Sequence, residues 1–546
     1  MNLLSDSWLD IHTHQLDKQK IIIYDISRAD IVDLYAPRAD FKGALYQLLI
    51  GLLQTAFAPE DKRAWIKYWR QPPTQAELAS AFAQYEKAFD LDTDNGKPAF
   101  MQDLELAAGS SNNISGLFIE APGDNTLKNN QAHFIKEGTF NQVSAYWAAV
   151  ALFTLQINAP SGGQGHRVSL RGGGPLTTLL LPPDEPEGFN SLWHRLWLNI
   201  LTQDEMFDLR GNSGLDDLAA IFPWMGKTRT SKNTGSETLP QHGHPLQMYW
   251  SMPRRIRLDW LSETGICDVS GEASDTLVRT YRAENYGVNY AGTWMHPLTP
   301  YVVETGKEPY SIKAQPGGLG YRHWLELAAV NEDGNRKRYS AFIVQTQRQE
   351  RQGWIKNSFG LRLWAFGYDM DNMKARCWYE ATMPLYDIDP TSYEDLQHVV
   401  KLMIKAATDT LHAVKNAIKI AWFQNPKDDQ NAKKFNERAI AIDANFWAGT
   451  ESQFYQLLEP LVTAINASDD EHIPHILSQW RIILKDFAFK LFDDYAMTSA
   501  NEDGDLKRVI KARHGKAANK TEKEGKQKKG NGLGYFINVA LKSLAA

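Results

Sequence analysis

The sequence predicts an α+β fold in which a large mixed N-terminal domain precedes a C-terminal bundle of four helices. The chain has 546 residues, more than a single hydrophobic core usually serves, so two or three domains are expected. Short strand-like and helix-like segments alternate irregularly up to about residue 390. Beyond it, apolar residues recur every three or four positions over long stretches, the pattern of amphipathic helices. We therefore place the domains at residues 1–390 and 391–546.

The N-terminal domain shows both periodicities without a regular βαβ alternation. Ile21 to Tyr24 form a short β-branched run typical of a strand, whereas the apolar spacing from Phe41 to Phe57 predicts a helix. Two apolar runs, Leu361–Phe366 and Cys377–Tyr386, flank a turn-like segment over residues 367–376. That arrangement predicts a β-hairpin.

The C-terminal domain carries a series of apolar stripes at helical spacing. The first includes Leu396, Val399, Val400, Met403, Ala407, Leu411, Val414 and Ile418. Comparable stripes cover 432–448, 454–465 and 473–495, and we predict loops between them. The segment 532–544 could add a short final helix. An all-helical bundle is the simplest arrangement that buries these stripes.

Composition excludes several classes of protein. Apolar residues make up 43% of the chain, enough for real cores. The two cysteines, Cys267 and Cys377, provide neither a disulfide framework nor a four-thiolate zinc site, which fits a reducing compartment. No run of about eighteen apolar residues and no basic-then-apolar leader occurs, so neither membrane insertion nor secretion is expected. We expect a cytoplasmic protein.

The charge is unevenly distributed along the chain. From Lys507 to Lys529 there are ten lysines and arginines against two glutamates, a local charge of +8 in a chain of formal charge −6. The remainder therefore carries −14. Such a patch could grip DNA locally on an otherwise acidic body, or be a solvated loop, and both can hold at once.

Two histidine motifs raise the question of metal chemistry. Asp10, His12 and His14 form an Asp-x-His-x-His run that could place two imidazoles on one metal ion at a strand end. Sites of that kind need further ligands at later strand ends, and we favour surface histidines here. His242 and His244 form a second pair, which is more typical of a polar turn.

Cys267 to Gly271 have the outline of a zinc knuckle in which the second thiolate has become Ser270. A single soft ligand cannot hold structural zinc. We expect a plain hairpin turn, without metal and without any cofactor.

The stretch from Ala159 to Thr178 contains six glycines, two arginines and a histidine between apolar segments. Glycine lacks a Cβ and tolerates positive φ, so Gly162, Gly163 and Gly165 could bring main-chain N–H groups against a groove or a phosphate. The stretch ends in no Gly-Lys-Ser/Thr and lacks the third glycine of a dinucleotide fingerprint, so nucleotide cofactors are not expected. A turn-rich connection between two elements is the alternative.

This stretch reads AAVALFTLQINAPSGGQGHRVSLRGGGPLTTLL in context, with NLLSDSWLDI near the start of the chain and NYGVNYAGTWMHPLTPY further along. Together these segments resemble the large subunit (CasA family) of the type I-E CRISPR Cascade surveillance complex, over essentially the whole chain. The resemblance implies a non-catalytic subunit that recognises the protospacer-adjacent motif (PAM) in double-stranded DNA and starts strand separation for R-loop formation in antiviral defence.

The resemblance also implies where DNA is read. A glycine loop that enters the minor groove corresponds to Ser161, Gly162, Gly163, Gln164 and Gly165. A charged reader falls within 282–285, with Arg282 and Asn285 as the candidates. The strand-separating wedge corresponds to Asn372, Met373 and Lys374.

Partners follow from the same resemblance. Phe134, Ile135 and Lys136 correspond to a loop that docks on the complex near the 5′ end of the CRISPR RNA, with His133 as a possible substitute. The C-terminal bundle corresponds to the part that meets the small subunits and the displaced strand, and the large subunit also offers a landing surface for the helicase-nuclease. Candidates for non-specific DNA contact are Lys507, Arg508, Lys511, Arg513, Lys516 and Lys520.

Two alternatives remain at this point. One is a metal-dependent hydrolase that uses Asp10, His12 and His14. The other is a purely structural scaffold, bound to the backbone subunits of the complex, with no DNA contact of its own.

Overall fold

The structure is a computed structural model of the chain. It describes residues 1–94, 96–106, 109–121, 139–183, 189–210, 217–355, 360–371, 374–498, 505–515 and 532–544. The chain divides into two compact units, the first of Met1–Gln315 and Glu332–Leu385, the second of Pro316–Asn331 and Tyr386–Ala546. The second unit therefore takes a short segment from within the sequence of the first, which the sequence did not indicate.

The first unit begins with a three-stranded antiparallel sheet in the order β2-β1-β3. Its strands are β1 (Leu9–Thr13), β2 (Lys18–Ile21) and β3 (Ile31–Leu34). The predicted strand over residues 21–24 is wrong except at its first residue, because Ile23–Asp25 form a 3-10 turn that buries Ile23 completely.

Helices pack beside this sheet, and the helix predicted from Phe41 to Phe57 is confirmed as α1. The described helices of the first unit up to residue 221 are α1 (Ala39–Ala56), α2 (Lys62–Arg70), α3 (Gln75–Phe82), α4 (Ala145–Asn158), α5 (Leu192–Trp197), α6 (Gln203–Arg210) and α7 (Leu218–Ile221). Helices α1 and α4 are buried on nearly all sides and pack against each other. The N-terminus of α3 is capped by Thr74, which forms a capping box with Glu77.

Two further sheets lie in the middle of the first unit. In one, β10 (Leu277–Glu284) pairs with β4 (Ser110–Asn113), β5 (Val143–Ser144) and β7 (Arg255–Leu261). The hairpin of β8 (Gly265–Ile266) and β9 (Ala273–Ser274) stands apart. The other sheet has the order β12-β11-β14-β13, with β11 (Tyr301–Glu304), β12 (Tyr310–Ser311), β13 (Val330–Asp333) and β14 (Arg336–Tyr339), followed by α9 (Phe342–Gln349).

The predicted hairpin is confirmed in the last sheet of the first unit, which has the order β16-β15-β6. Its strands are β6 (Thr177–Leu181), β15 (Arg362–Asp371) and β16 (Lys374–Pro384). The ladder runs on to the pair Asp371 and Lys374, so residues 367–371 are strand rather than turn. Gly367 is typical of a turn, but here it lies within a strand because its missing Cβ makes room for the backbone at Pro175. The Pro175 oxygen would lie 2.9 Å from a Cβ at this position.

The second unit is a helical bundle, as predicted. Its long helices are α10 (Tyr393–Trp422), α11 (Asp429–Asn466) and α12 (His472–Asp493), and its short ones are α8 (Trp324–Ala328), α13 (Leu506–His514) and α14 (Leu533–Ala540). The prediction of separate helices over 432–448 and 454–465 is wrong, because α11 is continuous through both. None of the helices described here combines the length and apolar character that crossing a bilayer requires.

Tyr321 packs the segment Pro316–Asn331 into the bundle. The ring of Tyr321 is fully buried and stacks on Phe454 with a centroid separation of 4.4 Å, while Trp447 meets it edge-on at 5.1 Å. The Tyr321 hydroxyl lies 2.9 Å from the Thr450 hydroxyl. Thr450, which lies in the gap between the stripes 432–448 and 454–465, therefore contacts this segment.

Candidate nucleic-acid interface

The segment 161–165 follows α4 and forms an exposed loop. Gly162, Gly163 and Gln164 are exposed, and a turn closes where the His166 N–H donates to the Gly163 carbonyl at 3.2 Å. Gly163 has a φ of +101° and Gly165 a φ of +77°. These are conformations that glycine adopts without strain, so the expectation that the loop needs glycine holds at these two positions.

The main-chain N–H groups of this loop have no acceptor in the part of the chain that the structure describes. Within the described ranges, none of the N–H groups of residues 161–165 donates a hydrogen bond. A Cβ added at Gly163 would meet nothing within 4 Å. The loop therefore presents consecutive main-chain donors to whatever approaches its outer side.

Asn285 and Tyr286 hold the loop from its inner side. The Asn285 side-chain amide donates to the Gln164 carbonyl at 3.0 Å, and the Tyr286 N–H donates to the Gly165 carbonyl at 2.8 Å. A Cβ on Gly165 would lie 2.8 Å from the Asn285 Cβ, so the two chain segments touch there. Two of the sequence-predicted elements, about 120 residues apart along the chain, are thus brought into direct contact, with Asn285 positioning the loop.

Arg282 is placed differently from Asn285. It lies on β10, its Nε donates to Asp259 at 2.9 Å, and its side chain also donates to the Leu106 carbonyl at 3.1 Å. Its charge is therefore balanced within the protein, whereas Asn285 lies at the loop itself.

A buried arginine lies beneath the glycine segment. Arg171 is 6% exposed and its guanidinium donates to four neutral groups. These are the Gln47 amide oxygen at 2.7 Å, the hydroxyls of Thr177 and Thr299 at 3.0 Å each, and the Ile157 carbonyl at 3.5 Å. Burial lowers its pKa to about 10. No carboxylate of the described chain pairs with it, so its positive charge is not neutralised.

Arg254 and His166 support the loop at its base. The Arg254 guanidinium donates to the Pro160 carbonyl and to Nδ1 of His166. Because a guanidinium can only donate, Nδ1 accepts, and the neutral ring carries its proton on Nε2. Burial lowers the pKa of Arg254 to about 10, and burial together with the Arg254 charge lowers the pKa of His166.

Four cations near the loop have no carboxylate partner among the described residues. They are Arg167, Arg171, Arg254 and Lys313. Arg167 donates instead to the hydroxyl of Ser231 at 2.7 Å and to its carbonyl at 3.0 Å. Some cations elsewhere in this unit are paired with carboxylates, for example Arg255 with Asp103 at 2.6 Å. The glycine loop thus lies over uncompensated positive charge, an environment that favours a polyanion.

The glycine loop and the β15–β16 hairpin lie side by side. A Cβ on Gly173 would lie 3.0 Å from Cα of Pro160, the residue before the loop, and a Cβ on Gly174 would lie 2.6 Å from Cγ of Met370. Met370 is one residue from the end of β15. Near the same end, Arg376 pairs with both carboxylate oxygens of Asp369, at 2.7 and 3.1 Å, across a register shift in the ladder.

Several predicted site residues lie outside the described ranges. These are Phe134, Ile135, Lys136, Asn372, Met373, Lys516 and Lys520. Lys374 is the first residue of β16 and pairs with Asp371 across the hairpin.

The start of the basic segment is helical rather than a loop. On α13, Lys507 and Lys511 are exposed, one turn apart. Arg508 turns inward and donates to the carbonyls of Ala421 and Trp422, at 2.9 and 3.2 Å, at the C-terminus of α10. Arg513 forms a two-pronged ion pair with Asp493 at 2.7 and 2.8 Å. The two lysines face solvent, whereas the two arginines hold the bundle together.

The first histidine motif does not form a metal site in the described structure. Asp10 is buried and paired with Lys20 at 2.9 Å and Lys18 at 3.2 Å, so cations already occupy its carboxylate. His12 packs edge-on against Tyr35, and His14 is exposed beside the Ala29 carbonyl. Nowhere in the described ranges do three or more His, Cys, Asp or Glu side chains converge as a metal would require.

The other two motifs act as turns. The rings of His242 and His244 accept the N–H groups of Leu239 and Leu246, each at 3.1 Å. Cys267 is buried, and its sulfur lies 3.3 Å from the Ser144 N–H. Although burial opposes it, hydrogen bonding at Ser144 and Ser270 leaves the pKa of this thiol below its usual value. In this turn the Cys267 thiol is hydrogen-bonded to neighbouring protein groups.

Sequence reasoning missed Arg254 and Lys313. Arg254 belongs to a run of three arginines within 254–257, a local signal that could have been followed. Lys313 had no such signal, since it is a single lysine after a short strand and only the fold places it near the loop.

Comparison with known proteins agrees with this architecture. A family model described as CRISPR-associated protein Cse1 matches residues 2–491. The fold is similar to that of a CRISPR associated protein from Thermus thermophilus, with 16% identity and a TM-score of 0.66 over 100% of this chain and 99% of that one. The fold is also similar to that of Cse1 from Acidimicrobium ferrooxidans, with 14% sequence identity and a TM-score of 0.66 over 100% of this chain and 99% of that one. A chain of a CRISPR RNA-guided surveillance complex is similar as well, with 15% sequence identity and a TM-score of 0.60 over 94% of this chain and 97% of that one.

Proposed function

This chain belongs to the Cse1 family of CRISPR-associated proteins, and we propose that it is the non-catalytic large subunit of a type I-E Cascade complex that reads the PAM in duplex DNA. One observation supports DNA reading above all others. The exposed loop 161–165 carries main-chain donors without acceptors in the described chain, directly beside cations without carboxylate partners.

The minor groove is the surface that suits such a loop. It offers acceptors on every base pair, N3 of purines and O2 of pyrimidines, in a pattern that distinguishes A·T from G·C poorly. Main-chain donors on glycine reach those acceptors without side chains in the way. Recognition of this kind tolerates several PAM sequences. The exposed Gln164 adds a side-chain amide at the tip of the loop, so this chain's preference would differ from that of a relative with glycine there.

Strand separation would follow at the neighbouring hairpin. We assign the wedge to Asn372, Met373 and Lys374, which follow β15 in the sequence. The described end of β15 comes close to the glycine segment at Met370. Unstacking one base step costs about a few kcal/mol, and R-loop growth is otherwise nearly balanced in free energy. A wedge at the first base pair would therefore decide whether the R-loop starts.

The remaining contacts belong to the assembly. Phe134, Ile135 and Lys136 would dock near the 5′ end of the CRISPR RNA, and the exposed lysines of α13 with the basic segment that follows would meet the displaced strand. Backbone and small subunits and the helicase-nuclease would be the protein partners. The chain itself would make or break no bond.

The test compares Gly163→Asp with Gly353→Asp in reconstituted Cascade against a PAM library. Both glycines have positive φ, +101° and +76°, and open space around the Cβ, so both variants carry similar backbone strain. We expect Gly163→Asp to cut PAM-dependent affinity by at least about tenfold, because a carboxylate would meet the groove, and Gly353→Asp to leave it unchanged. PAM-dependent binding that survives in Gly163→Asp would favour the scaffold alternative.

A further inference from the structure

Lys313 occupies a fixed place between the glycine segment and the hairpin. Its Nζ lies 4.0 Å from where a Cβ on Gly172 would stand, so the side chain extends over that glycine. Gly172 has a φ of +83° and sits in a turn in which its N–H donates to the Ser169 carbonyl at 2.8 Å. The ammonium is therefore next to the same glycine-rich segment that forms the proposed reading loop.

Main-chain contacts on both sides of Lys313 fix this position. Lys313 bridges Pro175, and the Leu176 N–H donates to the Ile312 carbonyl at 2.9 Å. On the other side, Ala314 bridges Asp369 on β15. The backbone at Lys313 is thus tied to the glycine segment and to the hairpin at once.

The charge of Lys313 has no carboxylate partner among the residues that the structure describes. The side chain is exposed, and it has no ion pair within the described ranges. Asp369, the carboxylate nearest along the bridge, is already held by both prongs of Arg376. Neighbouring protein atoms partly desolvate the ammonium and lower its pKa from the ordinary lysine value. A lysine held in place without an anion is well suited to bind a phosphate.

We infer that Lys313 binds a backbone phosphate of the DNA between the glycine loop and the strand-separating hairpin, at the point where the duplex opens. The inference rests on the proposed function, because it assumes that DNA lies along this surface. Phosphate contacts position a duplex without reading its sequence. Lys313 would therefore contribute to affinity and salt dependence but not to PAM choice, which separates its role from that of Gly163.

The experiment measures binding of reconstituted Cascade carrying Lys313→Gln or Lys313→Arg to a duplex with and without a PAM, over a series of salt concentrations. For Lys313→Gln we expect the slope of log affinity against log salt to become shallower by about 0.9, with affinity reduced roughly three- to tenfold on both duplexes. The ratio between the duplexes should stay constant. Lys313→Arg, which keeps the charge, should stay within about twofold of wild type.

Lys97→Gln is the matched control, since Lys97 is an exposed lysine already paired with Asp94 at 2.6 Å. It should leave slope and affinity unchanged, and thermal unfolding of all three variants should match wild type. A wild-type slope in Lys313→Gln overturns the inference. If Gly163→Asp abolishes PAM discrimination at the same time, the proposed function stands without Lys313, whereas wild-type behaviour of both variants removes the proposed function as well.

Discussion

At the scale of single residues, burial decides what a titratable side chain does. The sequence places two arginines, Arg167 and Arg171, in the glycine stretch, and both put positive charge beside the glycines. Arg171 is instead buried and donates to Gln47, Thr177 and Thr299, so its guanidinium is engaged inside the protein. Nothing in the residue type distinguishes it from Arg167. The difference arises from which neighbours the fold supplies, and a single sequence does not show them.

His194 gives a pH dependence that can be measured. It is 3% exposed, its ring lies 2.7 Å from the Ser191 hydroxyl and 3.1 Å from the Trp69 carbonyl, and burial lowers its pKa to about 4. In the unfolded chain it would titrate near its ordinary value of about 6.5. As pH falls from about 6.5 towards 4, His194 becomes protonated in the unfolded state but stays neutral in the folded state. The free energy of unfolding therefore falls by about 3 kcal/mol.

Urea unfolding at about pH 7 and pH 4 checks this, with His194→Gln and His14→Gln compared with wild type. His194→Gln should lose about 3 kcal/mol less stability than wild type over this range. His14 is exposed, so His14→Gln should follow wild type. Equal losses in wild type and His194→Gln would show that His194 does not resist protonation in the folded state.

At the scale of elements, apolar periodicity predicted α1, the hairpin and the helical character of the second unit. It failed where a residue with a strong local preference serves a tertiary contact. Gly367 looked like a turn but lies in the middle of β15, where the backbone at Pro175 comes close. Gly449 falls in the predicted gap after the stripe 432–448 but lies inside α11, where its missing side chain makes room for the ring of Phe487 from α12. Local propensity cannot reveal a neighbour that is distant in sequence.

Gly449→Ala tests this explanation of the continuous helix. Helix propensity alone predicts a gain of up to about 1 kcal/mol. An added Cβ would overlap the Phe487 ring, and overpacking of this kind costs about 1–3 kcal/mol, so we expect a net loss of stability in chemical unfolding. Gly534→Ala on α14 is the control, because its Cβ would meet Phe489 at an ordinary 3.7 Å and should stabilise or leave stability unchanged. A gain in Gly449→Ala equal to that of Gly534→Ala would contradict the packing explanation.

At the scale of the whole molecule, the candidate interface is assembled from parts that are far apart in sequence. The resemblance to Cascade large subunits pointed to the glycine loop and to Asn285, and the fold brings these two together. It did not point to Arg254 or Lys313, because their relevance comes only from contacts at Pro160 and Gly172. Motifs therefore locate the centre of the surface, while the charge around it depends on the tertiary structure.

The basic segment after residue 505 combines exposed lysines with arginines that bond to the rest of the bundle. Of its described residues, Lys507 and Lys511 are exposed on α13, whereas Arg508 and Arg513 contact α10 and Asp493 inside the bundle. Neutralising Lys507, Lys511, Lys516 and Lys520 by glutamine should flatten the salt slope of DNA binding by about 3–4 units if each meets one phosphate, with thermal stability unchanged. An unaltered slope would remove this segment from the DNA path.

The double variant Arg508→Gln, Arg513→Gln should show the reverse pattern. It carries two fewer positive charges, but these charges are engaged with the α10 C-terminus and with Asp493, so the expected effect is a lower unfolding temperature with a nearly unchanged slope. Net charge alone predicts that any two cations of the segment contribute equally to DNA binding. If the arginine pair flattened the slope as much as a lysine pair does, the internal contacts would not be what fixes the role of each charge.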